Sequence, residues 1–169
     1  MTAGDPSLGG VDAGVPRRLA FAYHPRSFGA LAVAEAARQT CELIWIVDSS
    51  VPEVTSMSRL LRRLGPLVDV AGLSLDEAAS SVRALAPDGI LALADTLLLW
   101  TAHLAQRLEL PFIPPQVAER LTDKHAQRTA LRDGGLPVPG FWRIPAAADA
   151  AGWAALAREA TFPALLKPR

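Results

Sequence analysis

Short apolar runs alternate with amphipathic segments from Leu19 to Leu108, and this alternation limits the possible folds more than any other feature of the sequence. The apolar runs have the length of strands and are hydrophobic almost throughout, as expected for strands covered on both faces. We expect strands at Leu19–Tyr23, Glu42–Asp48, Leu67–Val70, Asp88–Asp95 and Pro111–Pro114, and helices at Ala30–Thr40, Ser58–Gly65, Ser74–Ala86 and Leu97–Glu109. The alternation predicts an α/β fold with a doubly wound, mainly parallel sheet.

The composition excludes several classes of protein. The chain has 169 residues, of which 50% are hydrophobic, so it can form a packed core. It carries 17 basic and 17 acidic residues, and this balance argues against nucleic-acid binding. Its single cysteine, Cys41, cannot form an internal disulfide, which fits a cytoplasmic protein. We expect residues 1–17 to be a flexible tail, and no apolar run approaches the ~20 residues of a membrane-spanning helix.

The common nucleotide and catalytic motifs are absent from the sequence. The first turn between strand and helix contains only Gly29, so it lacks the glycine pattern that lets a dinucleotide approach the backbone. Neither a P-loop nor a nucleophile elbow is present. The three histidines, His24, His103 and His125, do not have the spacing of metal ligands.

Polar residues follow four of the predicted strands, and the carboxyl ends of parallel strands are where open sheets bind ligands. These residues are His24–Phe28, Asp48–Ser50, Ala71–Gly72 and Asp95–Thr96. Turns and helix caps use the same residue types, and a cap is the more frequent role for an acid such as Asp95 before an apolar helix. We take His24 and Asp95 as candidate residues of a substrate cleft.

The last third of the chain is more polar and contains both lysines of the sequence, Lys124 and Lys167. Lys124 begins a predicted helix, and it shares one face with Arg128 because the two are four residues apart. Lys167 ends a predicted strand. A lysine ammonium suits a polyphosphate, although either lysine alone is more often a solvated surface residue. The other predicted elements are helices at Asp123–Asp133 and Asp149–Ala160 and strands at Phe141–Ile144 and Phe162–Lys167.

The motif DK-x2-QR-x2-L-x3-GLPVP begins at Asp123 and is followed by FPALLKP at the end of the chain. Together these motifs resemble the start of the ATP-grasp domain, and the preceding α/β unit resembles the pre-ATP-grasp domain. The sequence of the segment Asp95–Arg128 is most similar to that of carboxylate–amine ligases, including amino-acid ligases. The resemblance implies a nucleotide site with Lys124 and Lys167, and with Arg128 as a weaker candidate. It also implies ATP and Mg²⁺ as cofactors, with the metal ligands expected beyond Arg169, and small-molecule carboxylate and amine substrates.

The resemblance implies three regions: a tail at 1–17, a pre-ATP-grasp domain at 18–114, and linker helices with the start of the ATP-grasp domain at 115–169. The phosphate loop and metal ligands of the family would follow the last residue. We therefore expect an N-terminal portion of a ligase that is inactive alone and contains no catalytic residue. Two alternatives stay open: a non-catalytic scaffold or dimerisation module, and a flavodoxin-like domain that binds a small molecule. The sequence also leaves a homodimer open.

Overall fold

The fold is taken from a computed structural model, which describes residues 17–144 and 149–165. The strands are β1 (Arg17–Ala22), β2 (Cys41–Val47), β3 (Leu67–Asp69) and β4 (Gly89–Ala92). The helices are α1 (Ala30–Ala37), α2 (Pro52–Leu64), α3 (Leu75–Arg83), α4 (Asp95–Leu108), α5 (Pro115–Thr122), α6 (Lys124–Asp133) and α7 (Ala150–Glu159).

The four strands form one parallel sheet in the order β3-β2-β1-β4. In the centre of the sheet, Phe21 of β1 lies opposite Trp45 of β2 and Leu91 of β4. Trp45 also lies opposite Leu67, which begins β3. The predicted α/β class with a parallel sheet is therefore confirmed.

Separate hydrophobic cores cover the two faces of the sheet. On one face, the strand residues Phe21 and Trp45 pack with Ala30 of α1 and with Val54 and Leu61 of α2. On the other face, strand residues pack with α3 and α4, and the members of this core include Ala20, Ile44, Ala78, Val82 and Leu104. Successive side chains of a strand point to opposite faces, so adjacent residues enter different cores. The helices on both faces make this sheet doubly wound, as predicted.

The predicted strand at Pro111–Pro114 is wrong, because these residues are neither strand nor helix. Pro114 is instead the N-cap of α5, and Pro115 is its first residue. A proline is well suited to the first turn of a helix because its missing N–H has no partner there. The predicted strand at Phe141–Ile144 is also wrong, since these residues form no regular element. Residues 162–165 likewise form no strand, and the rest of that prediction lies outside the described residues.

Two helices begin earlier than the sequence predicts. Helix α2 begins at Pro52 rather than Ser58, again with a proline in the first turn. Helix α4 begins at Asp95, and its N-cap is Ala94, which makes no side-chain cap hydrogen bond. Asp95 is therefore not the cap that the sequence favoured. By contrast, Ser74 caps α3: its hydroxyl accepts from the backbone N–H of Glu77 at 3.3 Å, and the Glu77 carboxylate accepts from the Ser74 backbone in return.

Candidate functional site

The strand order reverses between β1 and β4, and the region outside the carboxyl ends of these two strands is called the crevice below. From β1 the chain moves outward to β3, and it then returns to place β4 on the other side of β1. The helices that follow these two neighbouring strands therefore leave toward opposite faces, because α1 contributes to one core and α4 to the other. Open α/β sheets bind ligands at such a point of reversed order. His24 follows the end of β1 and Asp95 follows the end of β4, so both sequence candidates border this crevice.

His24 is half-buried and its imidazole is held by its own loop. The backbone N–H of Arg26 donates to Nδ1 of His24 at 3.2 Å, which leaves the proton of the neutral ring on Nε2. The Ser27 hydroxyl donates to the His24 carbonyl at 2.7 Å and closes the turn. The Arg26 guanidinium donates to Glu53 in the first turn of α2, with Nε to Oε1 at 3.1 Å. This hydrogen bond and the positive charge of Arg26 hold the pKa of Glu53 below its usual value.

Asp95 lies in the first turn of α4 and is exposed. Within the described part of the chain, its carboxylate has no ion-pair or hydrogen-bond partner. The positive end of the α4 dipole stabilises the negative charge at this position. The carboxylate of Asp95 is therefore available to a ligand at the crevice.

The acids that follow β2 and end β3 are used by the loops themselves. Asp48 Oδ1 accepts from the backbone N–H of Ser50 at 2.9 Å. Asp69 Oδ1 accepts from the backbone N–H groups of Ser49 at 3.0 Å and Ala71 at 3.1 Å. Burial raises the pKa of Asp69, but the hydrogen bonds from Ser49 and Ala71 outweigh this effect and lower it overall. At these two predicted sites, the structure favours loop formation over ligand contact.

Lys124 and Arg128 lie on α6, which Asp123 caps by accepting from the backbone N–H of His125 at 2.9 Å. The exposed Lys124 donates from Nζ to the Leu121 carbonyl at 3.2 Å, at the negative end of α5. A lysine ammonium has three donors, so two of them remain for a ligand. Arg128 is half-buried one turn further along α6. Lys167 lies outside the described residues.

The candidates form two groups. Helix α6 packs against α5, and α5 packs against α4. The pair of Lys124 and Arg128 is thus connected to the sheet through two intervening helices, whereas His24 and Asp95 lie at the sheet itself. The described contacts do not join one group to the other.

A cluster around Phe141 was not predicted from the sequence. The Phe141 ring lies edge-to-face with His125, with 5.2 Å between ring centroids. On the same ring, Cζ of Arg132 lies 5.4 Å from the Phe141 centroid, within the range of a cation–π contact. The spacing of seven residues between His125 and Arg132 places them on one face of α6 and was a usable signal. The partner ring on a later segment was not predictable from the sequence.

The described residues contain no group of three or more histidine, cysteine, aspartate or glutamate side chains that could hold a metal ion. The Mg²⁺ ligands implied by the resemblance are therefore not found in this part of the chain. Among the described helices, none has both the length and the apolar character needed to cross a membrane.

Neither a protein-family model nor a curated protein sequence matches the chain. A solved structure does match: an L-amino acid ligase from Bacillus licheniformis, with a TM-score of 0.55 and 22% sequence identity. The match covers 73% of this chain and 31% of the ligase, so the chain spans about a third of that protein. At this identity the comparison shows a shared α/β fold. That fold agrees with the α/β class predicted from the sequence.

Proposed function

We propose that the chain is the N-terminal portion of an ATP-dependent carboxylate–amine ligase of the ATP-grasp type, acting on amino acids. The main support is the likeness of its fold, over 73% of its length, to an L-amino acid ligase. The Asp123–Lys124 motif adds independent support, because it begins a cationic helix directly after the α/β unit. The switch-point crevice bordered by His24 and Asp95 provides a place for a small ligand.

In this proposal, Lys124 contacts the phosphates of ATP, with Arg128 beside it and Lys167 as the second nucleotide lysine. Lys124 is already oriented by its hydrogen bond to the Leu121 carbonyl, so less side-chain entropy is lost when phosphate binds. Arg128 follows on the same face and can offer a planar set of donors to a phosphate oxygen pair. None of these residues reacts covalently, since phosphoryl transfer depends on positioning and charge neutralisation.

The crevice at the sheet would receive a substrate with an ammonium or carboxylate group. The free carboxylate of Asp95 can accept hydrogen bonds from an ammonium group. His24 has its Nδ1 occupied by the Arg26 N–H, so Nε2–H is the donor that it can present to a carboxylate. These groups would bind and orient the substrate.

The proposed reaction has two steps. The substrate carboxylate attacks the γ-phosphorus of ATP, and the bond between this phosphorus and the β-phosphate oxygen breaks. ADP departs, and the substrate has become an acylphosphate. The amine nitrogen then attacks the acyl carbon and loses a proton, the bond to the phosphate oxygen breaks, and inorganic phosphate leaves. Mg²⁺ would neutralise phosphate charge in the complete site.

Nucleotide binding tests the role of Lys124 directly. The affinity for MgATP is measured by isothermal titration calorimetry on the complete gene product, as the wild type, Lys124→Ala and Arg59→Ala. Arg59 is an exposed cation on α2 and controls for the loss of one positive charge. A lost charge-assisted hydrogen bond of ~1.5–3 kcal/mol predicts a roughly tenfold or larger increase in Kd for Lys124→Ala. Equal affinities for Lys124→Ala and the wild type would refute the assignment.

Ligation is tested with the complete gene product. The codons that follow Arg169 should encode a glycine-rich phosphate loop and a later acidic metal-binding motif. Release of ADP should then depend on added amino acids and should fall strongly in Lys167→Ala. Amino-acid-independent ADP release, or full activity of Lys167→Ala, would contradict the proposal. Binding of a small molecule without any nucleotide would instead favour the binding-domain alternative.

A further inference from the structure

Helix α6 has little support from packing. It packs against α5, but none of its residues is buried. A single residue, Asp123, separates α6 from α5, so the joint between the two helices is short. A helix that is held only at its start can change its angle at that joint, unless its second half also contacts another part of the chain. The direction of the Lys124 and Arg128 side chains depends on this second contact.

The segment after α6 turns back along the helix. The backbone N–H of Leu136 donates to the Leu131 carbonyl at 3.0 Å, and that of Gly135 donates to the Arg132 carbonyl at 2.9 Å. Gly135 has a φ of +76°, a conformation in which glycine avoids the strain of a side chain. This helix ending reverses the chain, as the Schellman type does. The reversal brings Phe141 beside α6.

The Phe141 ring contacts side chains from the first and the last turn of α6. His125 and Arg132 are seven residues apart, which corresponds to ~10.5 Å along a helix axis. The ring centroid lies 5.2 Å from the centroid of the His125 ring and 5.4 Å from Arg132 Cζ, so the two side chains converge on one ring. Thr129 lies between the two residues on the same face, and its hydroxyl is shielded from solvent. This shielding is what a ring covering that face would produce.

We propose that Phe141 is a positioning residue for the nucleotide site, and this inference rests on the proposed function. By contacting His125 and Arg132, the Phe141 ring ties the far half of α6 to the returning segment. Lys124 is exposed at the start of α6, and the half-buried Arg128 lies one turn before Arg132. Phe141 therefore acts on the nucleotide through the direction of these two cations.

The test compares three substitutions at position 141. Phe141→Tyr keeps the ring, Phe141→Leu keeps most of the apolar volume without the ring, and Phe141→Ala removes both. The ring-current shift of the His125 ring protons, read by NMR, should persist in the Tyr variant and disappear in the Leu and Ala variants. Phe141 lies outside both cores of the sheet, so the melting temperature of the α/β unit should stay near that of the wild type.

Affinity for MgATP, measured by calorimetry on the same proteins, decides the positioning role. Phe141→Ala and Phe141→Leu should raise the Kd about two- to fivefold, the size expected for an exposed cation–π contact. Phe141→Tyr should bind as the wild type does. In a background that carries both Lys124→Ala and Arg128→Ala, Phe141→Ala should add no further loss, because its effect passes through these two cations.

Two results would overturn the inference while leaving the proposed function intact. The first is an unchanged Kd in Phe141→Ala despite loss of the ring-current shift. The second is the same loss of affinity with and without the two cations Lys124 and Arg128, which would mean that Phe141 acts independently of them. A complete gene product that does not bind MgATP would instead overturn the proposed function, and the positioning role with it.

Discussion

Replacing Gly65 with alanine tests the closest backbone approach in the described fold. Gly65 follows α2 at the turn into β3. A Cβ atom added there would lie 2.3 Å from the carbonyl oxygen of Leu43 in β2. The backbone N–H of Trp45 donates to the Pro66 carbonyl at 2.8 Å, so the turn is fixed beside the sheet. The φ of Gly65 is 164°, an extended conformation, and the expected cost is therefore steric.

The contact distance sets the size of the effect. Unbonded heavy atoms prefer ~3.5 Å or more, so the turn must move by about 1 Å to admit the new methyl group. The neighbour is backbone and cannot rotate away. Overpacking of this kind costs ~1–3 kcal/mol. For a domain of this size, that corresponds to a melting temperature lower by roughly 3–10 °C.

Thermal and urea unfolding measure this loss, with the fluorescence of the fully buried Trp45 contributing to the signal. Gly89→Ala in β4 is the matched control, because its Cβ would meet only a Leu19 side-chain carbon at 3.6 Å, an ordinary contact. Alanine there should be neutral or stabilise by ~0.4–1 kcal/mol through the unfolded state. If Gly65→Ala is as stable as Gly89→Ala, the inference that the α2–β3 turn lies too close to β2 for a side chain at position 65 is refuted.

Two further predictions concern buried or paired polar groups. Thr101 of α4 is fully buried, and its hydroxyl has no hydrogen-bond partner within the described residues. Thr101→Val should therefore stabilise the protein by ~1 kcal/mol, while Thr101→Ala should not. A lower free energy of unfolding for the Val variant than for the wild type, measured in urea, would refute this. The pKa of Asp69 is lower in the folded protein than its value of ~3.9 in the unfolded chain. The ionised carboxylate therefore stabilises the fold at pH values above ~3.9, and this stabilisation is lost as the pH falls through the pKa of the folded state. The deficit of Asp69→Asn in urea midpoint should therefore shrink between about pH 6 and pH 3; a constant deficit would show that ionisation of Asp69 does not contribute.

Much of the sheet could be predicted from the sequence because its strands are buried on both faces. The runs around Phe21 and Trp45 are continuously apolar, and each forms the strand that the sequence predicts. The Pro111–Pro114 run has a similar composition but forms no strand. Local composition cannot reveal whether a neighbouring strand edge is in reach, and here the two prolines that follow Ile113 commit the chain to helix α5 instead.

The candidate site was predictable in part. The cationic face of α6 follows from helical spacing, which depends only on local structure. The contact of Lys124 with the Leu121 carbonyl depends on the angle between α5 and α6, and the Phe141 cluster depends on a chain reversal. Such contacts arise from tertiary geometry, and no spacing rule along the sequence encodes them.

Topology also decides which carboxylates at the sheet edge stay available. Asp48 and Asp69 belong to loops on one side of the strand order, where successive crossovers run in the same direction. Their backbone N–H groups need acceptors, and these two side chains supply them. Asp95 lies where the strand order reverses, in the first turn of α4. The unpaired N–H groups at the start of that helix favour a negative charge there, such as the Asp95 carboxylate. Its carboxylate consequently stays free of loop hydrogen bonds within the described chain, and we therefore propose Asp95, rather than Asp48 or Asp69, as the acid that binds a substrate ammonium.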